Sequence, residues 1–208
     1  MADEPRPGQI ALPFASGPSG NIVIGTSNEA VIRACETPGE WPFGTALLWG
    51  PPRSGKSLTA RWFEAAGHGE AIDDAETCGE ADLFHRWNRA QQSGTPLLIV
   101  GRPVPGDWQV RLPDLASRLG AALNLAIQPP DDAMLAALIM SHGAARGVAL
   151  GEAATDYLVP RCERSFAGVE ALVARIDRLS LEKKTAPGLA IWREALSAAQ
   201  PPEQPRLL

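Results

Sequence analysis

Apolar positions fall into two regimes along the chain. Up to about residue 128, short unbroken apolar runs alternate with segments whose apolar residues recur at helical spacing; beyond it only the helical spacing remains. The runs Thr45-Ala46-Leu47-Leu48-Trp49 and Pro96-Leu97-Leu98-Ile99-Val100 are too short for buried helices and read as buried strands. Residues 123–127 read as a further strand, and Ala71-Ile72-Asp73-Asp74 as a short one, poorly formed because Gly69 and Glu70 interrupt it. Between them the pattern predicts four helices. The first is capped by Ser27 or Asn28 and stopped by Pro38-Gly39. The second covers about 56–66, with Leu58, Trp62, Phe63 and Ala66 on its buried side and Gly67 as its stop. The third carries Leu83, Phe84, Trp87 and Ala90 and ends at Gly94; the fourth is short, about 114–119. Strands alternating with helices predict an α/β fold, a mainly parallel sheet with helices on its faces.

Pro129-Pro130 marks a boundary, and the remainder reads as all helix. Asp131 or Asp132 caps a helix bearing Leu135, Leu138 and Ile139 that ends near Gly147; a second starts about Glu152 and is cut short at Pro160. Ser165 caps the most regular one, with Phe166, Val169, Leu172, Val173, Ile176 and Leu179 as its stripe. A last helix holds Leu189, Ile191, Trp192 and Leu196. The expected organisation is a flexible Pro/Gly/Ser-rich segment (1–20), an α/β nucleotide-binding domain (21–128), a helical domain (129–198) and a disordered tail (199–208).

Composition narrows the function. The 208 residues are 45% apolar, enough for a real core, and no run is long enough to span a bilayer. The acidic, proline-rich start lacks the basic and apolar regions of a secretion signal, so a cytoplasmic protein is expected and no membrane partner. A net charge of −5 with no Lys/Arg cluster argues against direct, specific DNA binding. Cys35, Cys78 and Cys162, like His68, His85 and His142, lie too far apart to suggest a disulfide framework or a metal cluster.

The chemistry-bearing motif is Gly50-Pro51-Pro52-Arg53-Ser54-Gly55-Lys56-Ser57, a Walker A pattern between a predicted strand and a predicted helix. Its glycines let backbone N–H groups of Pro52-Arg53-Ser54-Gly55-Lys56-Ser57-Leu58 converge on phosphate wherever the residue has one, and the helix adds its positive end. Lys56 is expected at the β- and γ-phosphates and Ser57 on Mg²⁺, so ADP or ATP with Mg is the expected ligand. Asp73 is the candidate second Mg²⁺ ligand, and Asp74 the candidate group that polarises water.

With these motifs in order, residues 9–196 resemble the DnaA/Hda branch of AAA+ proteins, and within it the alphaproteobacterial HdaA type. The resemblance implies that Ile22 and Ile24, within Asn21-Ile22-Val23-Ile24-Gly25-Thr26-Ser27-Asn28, pack on the adenine. It implies that Arg118, in Leu112-Pro113-Asp114-Leu115-Ala116-Ser117-Arg118-Leu119, is an arginine finger acting in trans. It makes the C-terminal helices an AAA+ lid. It makes Gln9-Ile10-Ala11-Leu12-Pro13-Phe14 a clamp-binding peptide in which Gln9 hydrogen-bonds, Leu12 and Phe14 enter an apolar pocket of the DNA polymerase sliding clamp, and Pro13 keeps the peptide extended. The implied function is regulatory: tethered to the clamp, such a protein stimulates hydrolysis of DnaA-bound ATP and prevents re-initiation of replication. The partners implied are the clamp and DnaA, with homo-oligomerisation left open.

Three departures from an active AAA+ ATPase accompany the resemblance. The segment between Ser57 and Asp73 is short, so the sheet is expected to be one strand short; Val100 stands where a polar sensor belongs; and Gly168 aligns with the lid arginine, with Arg164 one turn away as its only candidate substitute. Nucleotide binding with feeble intrinsic hydrolysis is expected. The alternative is a stand-alone P-loop ATPase or small-molecule kinase, for which the short segment leaves little room.

Overall fold

The structure is a computed structural model that describes residues 22–102 and 107–198. The candidate clamp-binding residues Gln9, Leu12, Pro13 and Phe14, and the tail 199–208, lie outside the described residues. The chain divides into two compact units, 1–129 and 130–208.

The first unit is built on a four-stranded sheet. Its strands are β1 (Thr45–Trp49), β2 (Glu70–Ile72), β3 (Leu97–Val100) and β4 (Leu123–Ala126), in the order β2-β3-β1-β4 with every pair parallel. Parallel neighbours need crossovers, and helices supply them. They are α2 (Lys56–Ala65), α3 (Glu80–Ser93) and α4 (Pro113–Ala121), while α1 (Glu29–Glu36) precedes β1. β1 and β3 are central and covered on both faces, which is why they read as unbroken apolar runs. Leu47, Leu97 and Ile99 point to one face, where Leu83 and Ala90 of α3 and Leu115 and Leu119 of α4 close over them. Each such fully buried side chain contributes about 1.5–3 kcal/mol.

The expected missing strand is absent among the described residues, which leaves β2 as a sheet edge. Ala71 faces outward in the parallel register and would present an unpaired N–H and C=O. Two flanking helices meet this need. Glu64 of α2 accepts from the Ala71 N–H at 3.0 Å, and Arg86 of α3 donates to the Ala71 carbonyl at 3.2 Å.

Several local expectations are corrected. Ala66 is exposed and Leu58 and Trp62 only half-buried, because α2 buries Thr59, Ala60 and Phe63. The helix ends one residue early, in a turn where the Gly67 N–H bonds Glu64 O (3.0 Å) and the His68 N–H bonds Phe63 O (3.1 Å); Gly67 takes φ +74° there. Asn28 is the α1 N-cap by position but not by side chain: its Oδ1 accepts from Gly25 N and its Nδ2 donates to Val23 O. β2 stops at Ile72, so Asp73 and Asp74 lie in the turn beyond it.

The second unit contains α5 (Asp132–Ala145), α6 (Glu152–Leu158), a 3₁₀ turn (Val159–Arg161), α7 (Phe166–Lys183) and α8 (Leu189–Ser197). Asp131 caps α5 by accepting from Met134 N at 2.8 Å, and Ser165 caps α7 by accepting from Gly168 N at 2.9 Å. Met134, Leu135, Ile139, Leu158, Val169, Val173, Ile176 and Ile191 make its core. Leu179 is only half-buried, and Leu189, expected on the apolar face of α8, is exposed.

Candidate nucleotide-phosphate site

β1 delivers the chain to the sheet's carboxyl end, where ligands bind in open α/β sheets. The loop 50–55 then turns it into α2. Gly50 has φ +154°, and a Cβ there would lie 2.9 Å from both Cβ and O of Ile127, the residue after β4, so only glycine fits. Gly55, at φ +90°, is the residue from which α2 starts. Arg53 holds φ +63°, a conformation that costs a non-glycine residue about 1–2 kcal/mol and is kept only where the surroundings impose it. Pro52 and Arg53 are exposed; Gly55, Lys56, Ser57 and Leu58 are half-buried around the start of the helix.

Lys56 closes the loop on itself, its Nζ donating to Gly50 O at 2.9 Å and to Pro51 O at 3.0 Å. Burial pulls its pKa below the usual lysine value, and the Asp73, Glu76 and Asp74 carboxylates oppose that shift. The Ser54 hydroxyl is buried and has no hydrogen-bond partner among the described residues. A polyphosphate fits these residues. The loop carries one ammonium, lies at the positive end of α2 and holds a hydroxyl with no hydrogen-bond partner among the described residues.

The acids stand at the carboxyl end of β2. Asp73 Oδ1 accepts from the Asp74 N–H at 3.0 Å, which holds Asp74 at φ +48°. Two groups missed in the sequence join them. Arg102, just past β3, donates from Nε and Nη2 to Asp74 Oδ1 at 3.3 Å and lies 3.1 Å from Glu76 Oε1; its N–H also reaches Glu76 Oε2 at 3.3 Å. Their common signal is position at neighbouring strand ends, which shows only when β2 and β3 pair. Among the described residues no group of three His, Cys, Asp or Glu forms a metal cluster, so a cation here would rely on Ser57 and Asp73 with solvent and phosphate oxygens.

No family model matches the chain. Its fold is similar to domain III of the replication initiation protein DnaA from Thermotoga maritima, with a TM-score of 0.71 and 13% identity over 84% of this chain and 93% of that one. The fold is that of an AAA+ domain. The AMPPCP-bound DnaA from Aquifex aeolicus is similar at a TM-score of 0.60, with 15% identity over 78% of this chain and 66% of that one. The FIGL-1 AAA domain in complex with ADP is similar at 0.60, with 12% identity over 86% and 83%. The chain thus spans about two thirds of that longer DnaA structure. No helix among the described residues is long and apolar enough to cross a membrane.

The remaining candidates are placed within this AAA+ frame. Ile22 is buried, at 4% exposure, and Ile24 half-buried; the segment forms a single bridge rather than a strand. It is fastened to the end of β4 through Gln128 N to Ser27 O (2.9 Å) and Ser27 Oγ to Pro129 O (3.0 Å). Val100 is buried at the end of β3 beside Leu48 and offers only hydrocarbon. In the helical unit Gly168 lies in the first turn of α7, where a Cβ would meet Glu163 Cβ at 2.7 Å and the capping Ser165 Oγ at 2.9 Å. Arg164 is paired with Asp132 at 2.5 Å on an exposed surface.

Arg118 sits apart from the P-loop on α4. Its Cζ lies 4.2 Å from the Phe84 ring centroid and 4.1 Å from that of Trp87, and its Nη1 donates to Asn88 Oδ1 at 2.6 Å. Such a cation over aromatic faces is held by about 0.5–2 kcal/mol per ring. The turn before α4 is fixed to the same helix α3: Glu80 accepts from Arg111 N at 2.9 Å and Leu112 N at 2.8 Å, and these bonds lower its pKa.

Proposed function

We propose that this protein is an Hda-like negative regulator of replication initiation: a nucleotide-binding AAA+ protein with little or no ATPase of its own, which promotes hydrolysis of ATP held by DnaA. What supports the reading is a glycine loop with a lysine at the end of β1, beside a strand end that offers no polar side chain. Gly50, Gly55, Lys56 and Ser57 are in place at the end of β1. Val100 supplies no polar sensor, and the turn around Gly168 leaves no room for a side chain.

In this reading the backbone from Pro52 to Leu58 and the Lys56 ammonium hold the phosphates of ADP or ATP. Ser57 and Asp73 hold Mg²⁺, and the base lies against the Ile22–Ile24 segment, with Ile24 offering the accessible surface. Bound nucleotide supplies the charge that draws Lys56 off Gly50 O and Pro51 O. Asp74 would be the residue to polarise water, and its Oδ1 is already engaged by Arg102. Arg118 acts on a partner's nucleotide, where its charge stabilises the transferring phosphoryl group. Gln9, Leu12, Pro13 and Phe14 bind the sliding clamp as an extended peptide.

The deciding experiment loads DnaA with labelled ATP and adds clamp, DNA and this protein. Stimulated hydrolysis is expected, lost with Arg118→Ala and reduced with Gln9→Ala plus Leu12→Ala. Equal stimulation by Arg118→Ala would remove the finger, and undiminished clamp capture by the double variant would remove the tether. Turnover of ATP by this protein alone at rates typical of AAA+ motors would favour the stand-alone ATPase instead.

A further inference from the structure

We infer that one face of α3 is a positioning platform for Arg118, with Trp87 and Phe84 fixing the plane of its guanidinium and Asn88 and Glu80 fixing its rotation and the height of α4. The inference rests on the reading of Arg118 as the group that acts on a partner's nucleotide, and adds four residues to that machinery.

Glu80, Phe84, Trp87 and Asn88 are spaced at i, i+4, i+7 and i+8, so they share one face of α3. Every one of them engages α4 or the turn leading into it. Glu80 takes both backbone N–H groups of Arg111 and Leu112, which sets where α4 begins. Phe84 and Trp87 lie against the guanidinium of Arg118, and Asn88 takes one of its N–H groups.

The geometry suits presentation rather than storage. Stacking occupies the faces of a guanidinium, whereas phosphate oxygens bind at its edges. Of the five N–H donors, Asn88 takes one, on Nη1. A side chain held this way has already lost its rotamer freedom, so little is lost again when it meets a phosphoryl group.

Trp87 carries a second observation. Its indole N–H is buried without a hydrogen-bond partner among the described residues. Such a donor is a cost that Leu or Phe would not bring to the same packing position. What Trp supplies beyond them is the largest flat, electron-rich face, which is what a stacked cation needs. The guanidinium of Arg118 lies 4.1 Å from the ring centroid of Trp87, so the indole face serves the cation as well as the core.

The test measures single-turnover hydrolysis of DnaA-bound ATP across a titration of this protein, for wild type and for Trp87→Leu, Trp87→Phe, Asn88→Ala and Arg118→Ala. Thermal melts and circular dichroism establish folding for each. A positioning role predicts that Trp87→Leu lowers the maximal rate by about tenfold to a hundredfold, the penalty of an ångström-scale misplacement. The half-saturating concentration is expected to stay unchanged, and Trp87→Phe, which keeps a flat face, to restore most of the rate. Asn88→Ala, which leaves the packing intact, is expected to lower the maximal rate in the same way, and it carries the test if Trp87→Leu does not fold. Maximal rates at wild-type level for a folded Trp87→Leu and for Asn88→Ala, with Arg118→Ala inactive, would overturn the platform and leave the finger standing. An Arg118→Ala variant as active as wild type would overturn the finger and the platform with it.

Discussion

Placing an arginine in the first turn of α7 by Gly168→Arg is expected to destabilise the fold, and the structure sets the size of the loss. A Cβ at 168 would lie 2.7 Å from Glu163 Cβ, 2.9 Å from Ser165 Oγ and 3.0 Å from Glu163 Cδ. Non-bonded carbons settle at about 3.5–4.0 Å, so the turn 163–165 has to move by most of an ångström. Ser165 is the N-cap of α7, and its hydroxyl sits 2.6 Å from Glu163 Oε1, so the movement breaks the cap. Losing such a cap costs about 0.5–2 kcal/mol. Forcing extra atoms into a filled site costs about 1–3 kcal/mol. Replacing glycine in a helix returns at most about 1 kcal/mol. The clash therefore wins, and both Gly168→Ala and Gly168→Arg should lose about 1–3 kcal/mol. Urea denaturation followed by circular dichroism measures the loss, and ATP turnover by Gly168→Arg should stay at the wild-type level. A Gly168→Arg protein as stable as wild type that hydrolyses ATP quickly would refute the reasoning, because the turn would then have room and only the arginine would have been lacking.

The other predictions are more direct. ADP with Mg²⁺ at a hundred times its Kd should stabilise the wild type by about 2.7 kcal/mol, read as a shift in the melting curve, and Lys56→Ala should abolish that shift. The lowered pKa of Glu80 means that its two backbone bonds stabilise the fold above the unfolded-state pKa, and that this contribution is lost as pH falls below the ordinary glutamate value of 4.5. The stability difference between wild type and Glu80→Gln should therefore shrink from pH 6 toward about pH 3, and a constant difference would contradict the assignment. Cys35 is fully buried, and burial, with Glu36 adding to it, pushes its thiol up to about 12. Iodoacetamide at about pH 8 should leave Cys35 unmodified in the folded protein and label it in urea.

The legible parts of the fold are those whose signal is local. β1 and β3 are buried on both faces, so their sequences are plain apolar runs, and the glycine and capping residues at 67, 94, 131 and 165 act within one turn of where they stand. The P-loop is legible for the same reason, since one stretch of eight residues makes the cradle. What escaped is what depends on packing between distant segments. Arg102 and Asp74 are 28 residues apart and meet only because β2 and β3 end side by side. The spacing of Phe84 and Trp87 identifies a buried face of α3, but periodicity says nothing of what covers it, and both rings lie against Arg118 of α4 as well as the core. Arg164 looked available as a substitute sensor because its partner Asp132 lies a whole helix pair away.

The shortened sheet explains why binding and hydrolysis can part company in one fold. Removing an edge strand exposes only the strand next to it, and here Glu64 and Arg86 take over the two outward groups of Ala71. The disturbance stops at β2, because β3 stands between it and β1. β1 keeps parallel neighbours on both sides, so the loop it feeds, and the close approach of Gly50 to Ile127, are held as firmly as in a full sheet. Phosphate binding draws on that centre alone. On the proposed function, hydrolysis would draw on other positions, the residue at the end of β3 and the acids after β2. Those positions hold Val100 and an Asp74 already bonded to Arg102. A function that needs only the centre therefore survives changes that remove a function needing the periphery. On the proposed function, such a protein would keep nucleotide as a structural element while Arg118, half-buried against Phe84 and Trp87, acts on another protein's ATP.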